Sequence, residues 1–125
     1  SAPEWAAFYL TLERMDEVWT VLLQDLDDAD DAAFTAYMKP RVTEYEQLLC
    51  YFLYRHLSAA LDDGDVSGKA AFAVLSTRFL RQLGAWQYRK TGRFTKDDQI
   101  ELARLYSAEI EYSQENLDAL FDELS

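Results

Sequence analysis

The chain has 125 residues, one cysteine, one histidine and a formal net charge of −11. That is enough for one globular domain, and it excludes a disulfide framework or a cysteine-held zinc or iron–sulfur site within the chain. The acidic balance has the wrong sign for neutralising phosphate, so nucleic acid and anionic membrane are excluded as general partners. The best apolar run falls short of the ~20 residues that cross a bilayer, and it is interrupted by Arg55 and His56. Residues 5–26 carry many acids and no basic front end, so no secretory leader is expected and the expected location is cytoplasmic.

Pro3 suits a first helical turn. Trp5, Phe8, Leu12, Met15, Trp19, Leu22 and Leu26 follow at spacings of three and four, which is one stripe of a single helix over residues 3–26. The acidic residues Asp27, Asp28, Asp30 and Asp31 end it and offer N-cap oxygens to a short helix over residues 30–38. That helix stops because Lys39 precedes Pro40. A third helix, over residues 41–61, opens on a Thr43-x-x-Glu46 capping box and is apolar from Leu48 to Leu57 except at Arg55 and His56. Grease on every side predicts the central rod of a bundle.

Gly64 is the expected left-handed residue that closes this rod. Helix 4, over residues 66–91, presents Phe72, Leu75, Phe79, Leu83 and Trp86 to the core. Gly84 inside it costs roughly 1 kcal/mol relative to Ala and marks a close approach or a kink. Gly92 ends this helix. Thr95-x-x-Asp98 then caps a fifth, over residues 96–124, with the stripe Ala103, Tyr106, Ile110, Ser113, Leu117, Leu120 and Leu124. The expected fold is all-α: an antiparallel up-and-down bundle of four main helices plus one short helix, in a single domain over residues 1–125.

Charge is uneven along the chain. Seven Lys or Arg and no Asp or Glu fall between Val66 and Lys96, whereas nine acids and one base follow from Asp97 to Glu123. A positive helix packed among negative ones accounts for this; an anion or acidic-partner site near residues 89–96 is the alternative.

Arg55 shares a helical stripe with Leu48, Phe52 and Ala59, and His56 shares one with Tyr45, Leu49 and Phe52, so both are expected to point inward. A shielded guanidinium requires a carboxylate. The sources are Glu13, Asp16, Glu109, Glu111 and Glu115, with Glu109 favoured because it shares a stripe with Leu102, Leu105 and Asn116. Such residues form either a buried polar layer that fixes helix register or a pocket with Arg55 at its base. The candidate binding residues are therefore Glu13, Asp16, Arg55, His56, Glu109, Glu115 and Asn116, with no catalytic residue and no metal ligand assigned. A single histidine without a Glu-x-x-His pair rules out a ferritin-like di-metal site. Four scattered glycines rule out a phosphate-cradling loop. Cys50, in an apolar run, is not expected to be a reactive thiolate.

Three segments carry a family resemblance: residues 13–19 (ERMDEVW), 51–57 (YFLYRHL) and 106–117 (YSAEIEYSQENL). In that order they resemble the C-terminal part of bacterial flagellin lysine N-methylases. The resemblance implies the helical C-terminal domain of a longer protein, supporting the catalytic part or docking the protein substrate and inactive alone. It also implies, outside this chain, an N-terminal cysteine-rich domain with an iron–sulfur centre, S-adenosylmethionine as methyl donor and flagellin as substrate. No catalytic residue is carried over by it. The rival reading, from the residues alone, is a stand-alone helical binding or chaperone-like module.

Overall fold

The computed structural model describes residues 1–26 and 31–124. These form seven α-helices and no strand: α1 (Ala2–Leu10), α2 (Glu17–Asp25), α3 (Ala32–Met38), α4 (Thr43–Asp63), α5 (Val66–Thr91), α6 (Lys96–Tyr106) and α7 (Gln114–Leu124). A 3-10 turn at Lys39–Arg41 and a π turn at Ser107–Glu111 complete the set. The expected acidic caps at residues 27–30, and the side chain of Ala59, lie outside the described residues.

Local signals placed many helix ends. Ser1 and Glu4 form a capping box around Pro3, and Thr95 and Asp98 form the expected one at α6. Asp65 caps the first turn of α5 through the Gly68 amide. Gly64 (φ 72°) and Gly92 (φ 79°) take the left-handed conformation that a side chain would strain.

The first and the fifth expected helices are each broken. Residues 11–16 interrupt the first, because Asp16 accepts from the Val18 amide at 2.8 Å and so starts a new helix rather than continuing the old one. Met15, assigned by spacing to the core stripe, is 73 % exposed. The fold-back brings Trp19 against Tyr9, with ring centroids 6.0 Å apart. The fifth helix is interrupted by the π turn and by Ser113, whose hydroxyl accepts from the Asn116 amide at 3.2 Å and opens α7.

Helix α4 is not the enclosed rod that its composition predicts. Tyr54 is 82 % exposed, and Cys50, Tyr51 and Leu57 also face solvent. The centre belongs to α5, which packs against α1, α3, α4, α6 and α7. Small buried residues along α5, among them Ala73, Ser76, Gly84 and Ala85, let its neighbours come close. A Cβ at Gly84 would lie 3.1 Å from the rings of Phe34 and Phe94, so this glycine marks a close approach. The bulky aromatics of α4 allow no such approach on every side.

Around α5 the core is aromatic. Tyr9, Trp19, Phe79 and Tyr106 meet in edge and tilted contacts. The Tyr9 and Tyr106 hydroxyls lie 2.6 Å apart, and Ser76 Oγ lies 2.8 Å from Tyr106, so these buried polar tips satisfy one another. Several cations of α5 meet acids of its neighbours: Lys69 pairs with Asp63, Arg81 with Asp31 and Lys90 with Asp25. That is the packing of a positive helix among negative ones.

Candidate functional site

The polar chemistry converges on the π turn. Glu109, Ile110 and Glu111 are consecutive and all buried. Three successive residues of an isolated helix cannot all avoid water, since each is rotated ~100° from the last. Here the turn is enclosed on two sides: Glu109 reaches the α1–α2 loop and Glu111 reaches α4.

Glu111 is the centre of the first group. Its Oε2 accepts from His56 Nε2 at 2.7 Å and is ion-paired with Arg55, whose Nε lies 3.0 Å away, and its Oε1 accepts from Ser107 Oγ at 2.6 Å and Tyr51 OH at 3.2 Å. The side chain is 0 % exposed. An ionised carboxylate only accepts, so His56 carries its proton on Nε2 toward Glu111. Burial by itself would raise the Glu111 pKa, but the hydrogen bonds from His56 and Ser107, with the nearby charges of His56 and Arg55, hold it below the usual carboxylate range. Partial desolvation, and then the Glu111 charge beside it, pushes the Tyr51 hydroxyl upward.

Arg55 differs from expectation in two ways. Its partner is Glu111 rather than Glu109, and its side chain is 37 % exposed rather than shielded. The guanidinium lies 5.2 Å from the Tyr112 ring, itself 69 % exposed, so Arg55 bridges the buried carboxylate and the surface. The stripe argument failed because α4 has an open face on which a position between inside and outside remains wet.

Glu109 and Asn116 form the second group. The Glu109 carboxylate accepts from the Met15 amide at 3.0 Å and the Asp16 amide at 2.7 Å. Asn116 donates through Nδ2 to the carbonyls of Glu13 and Glu109 at 2.9 and 2.8 Å, and its Oδ1 accepts from the Glu13 amide at 3.2 Å. Glu13 and Asp16 therefore enter through their backbones while their side chains face solvent. Glu115 is exposed in the first turn of α7 and belongs to neither group. Sequence reasoning named Glu111 only as one possible carboxylate for Arg55, left it off the candidate binding residues, and missed Ser107 and Tyr51; the readable signal was spacing, since Ser107 lies four residues before Glu111 and Tyr51 four before Arg55.

A groove of about 320 Å³ runs beside the Glu111 group, walled by Leu48, Tyr51, Ile100, Ala103 and Ser107. A roomier hollow of about 620 Å³, between Trp5 and the α5 residues Ala71 and Val74, contains none of the sequence-predicted site residues. Among the described residues no three His, Cys, Asp or Glu gather to hold a metal, and no helix is long and apolar enough to cross a membrane.

Comparison with known proteins finds one family: the model described as FliB lysine N-methylase C-terminal domain matches residues 4–125. No curated protein and no solved structure matches the chain. Methylase chemistry implies S-adenosylmethionine in the full protein, but the residues present do not fit that group. Glu111 is enclosed by three hydrogen-bond donors and the Arg55 cation, and cannot face a sulfonium. None of the glycines forms a cradle: a Cβ at Gly68 would meet Asp65, one at Gly84 would meet Phe34 and Phe94, and Gly64 and Gly92 close helices in open space. Covering nearly the whole chain, and spanning α1 to α7 with both polar groups inside it, the family match is decisive: the protein belongs to the FliB lysine N-methylase C-terminal domain family.

Proposed function

We propose that this chain is the C-terminal helical domain of a longer flagellin lysine N-methylase, a single unit that supports the catalytic part in the cytoplasm and is not catalytic alone. On this reading the donor and an iron–sulfur centre reside in a cysteine-rich N-terminal domain, and that domain is the partner of this one. An antiparallel up-and-down bundle built on α4 and α5 would serve as the scaffold.

The observation that carries the proposal is the open face of α4. Tyr54 is 82 % exposed and Tyr51, Leu57 and Cys50 lie beside it, in the most apolar segment of the chain. Tyrosine and arginine are enriched where surfaces bind partners, because each joins a large contact area to a polar tip. Arg55 and Tyr112 add such a pair at the edge of this face, fixed from beneath by Glu111. The buried polar group is thus a lock that holds the π turn against α4 and keeps the outer face in one shape.

Cys50 reports on that face. In the whole methylase the tryptic peptide carrying Cys50 should be alkylated at least roughly tenfold more slowly than in the 125-residue chain. Equal rates would overturn the reading.

A further inference from the structure

A second surface, formed by the α1–α2 loop, α2, the end of α5 and α6, has a different chemistry. Three depressions of about 380, 600 and 300 Å³ share Val18 and form one trough. Its apolar side is unusually wet: Met15, Val18 and Val21 are 73 %, 60 % and 58 % exposed, and Leu22, Trp86 and Leu105 continue it. Asp16, Glu17, Asp98 and Glu101 border it. Among the described lining residues the one cation is Arg104, which is held by Glu101 at 2.9 Å. Lys90, over the Trp86 ring, is held by Asp25.

The wall is preformed. Met15 stands in solvent because Glu109 grips the Met15 and Asp16 amides and Asn116 grips Glu13, so no hydrophobic packing of Met15 is needed to place it. A trough with an apolar floor and a carboxylate rim complements a side chain with an apolar stem and a cationic head. Lysine is that side chain, since its four-carbon stem lies on apolar surface while its ammonium seeks oxygen.

We infer that this trough docks a lysine-bearing segment of the protein substrate. The inference rests on the proposed methylase role and assigns the substrate's docking face to α2 and α6 rather than α4. Attraction by exposed carboxylates is screened over about 8–10 Å at ordinary salt, so the docking is salt-sensitive and steers substrate rather than holding it tightly.

The test uses the 125-residue chain and a fluorescein-labelled peptide in which lysines alternate with alanine and leucine, followed by anisotropy. The lysine peptide should bind roughly tenfold tighter than the same peptide with Gln for Lys at ~50 mM salt, and the difference should vanish near ~0.5 M. Glu17→Lys and Glu101→Lys should each weaken binding several-fold without changing the melting temperature. Glu123→Lys, at the far end of α7, and Tyr54→Glu should leave it unchanged. Equal binding of the Gln peptide, or a loss with Glu123→Lys as large as with Glu17→Lys, would overturn the inference, the latter because it reveals diffuse charge only. Tyr54→Glu separates the two readings, because it strikes the proposed α4 interface and not the trough.

Discussion

Asn116 holds Glu13 by both backbone groups, accepting from its amide at 3.2 Å and donating to its carbonyl at 2.9 Å across the gap between α7 and the α1–α2 loop. The same amide nitrogen reaches the Glu109 carbonyl at 2.8 Å, so one side chain satisfies both places where a long helix is interrupted. Asn116→Leu removes every one of these bonds in a site only 3 % exposed and leaves backbone groups unpaired. It should cost about 2–4 kcal/mol in urea unfolding.

Glu109→Gln keeps the size of the side chain but weakens charge-assisted bonds to the Met15 and Asp16 amides. A loss of about 1–3 kcal/mol is expected. Hydrogen exchange of those two amides should quicken before that of α5, because the loop opens locally.

The Glu111 group predicts unequal effects within one cluster. Glu111→Ala exposes His56, Ser107 and Tyr51 to lost partners and should cost about 3–5 kcal/mol. Arg55→Ala should cost less, about 1–2 kcal/mol, because its side chain is 37 % exposed and water replaces part of the pairing. A double-mutant cycle measures the coupling directly.

Two limbs of the stability–pH curve follow from buried groups. Glu111 titrates below 4.5 when folded, so its contribution is complete above that value and is lost as pH falls through the folded pKa. Glu111→Gln should flatten the acid limb. Tyr9 and Tyr106 are pushed above 10.0 by burial first, so the unfolded chain ionises before the folded one. Their contribution is present below pH 10.0 and is lost as pH rises beyond it. Tyr106→Phe should soften that alkaline limb.

What the sequence made legible was local. Helix class, both ends of α5 and the start of α6 follow from capping residues and left-handed glycines, which act within a few residues. The breaks were hidden because Trp5, Trp19 and Leu22 keep helical spacing across a loop whose stability comes from Glu109 and Asn116, about a hundred residues away. The polar candidates were chosen as polar residues on or beside inward helical stripes, and four of them, Arg55, His56, Glu109 and Asn116, do make the side-chain contacts of the two groups. Their pairing was misassigned because a regular helix cannot turn both Glu109 and Glu111 inward, whereas the π turn does. The openness of α4 was also unreadable, since composition records how greasy a helix is and not how many neighbours can reach it.

The supporting role is tested most directly by Tyr54→Glu. Its ring is 82 % exposed, so the substitution should leave the melting temperature of the 125-residue chain within about 2 °C, as surface changes do. In the whole methylase, placing a charge at the centre of the proposed contact should lower methylation of flagellin roughly tenfold or more. Full methylation by the Tyr54→Glu enzyme, with the domain still folded, would contradict the assignment of this face to the catalytic part.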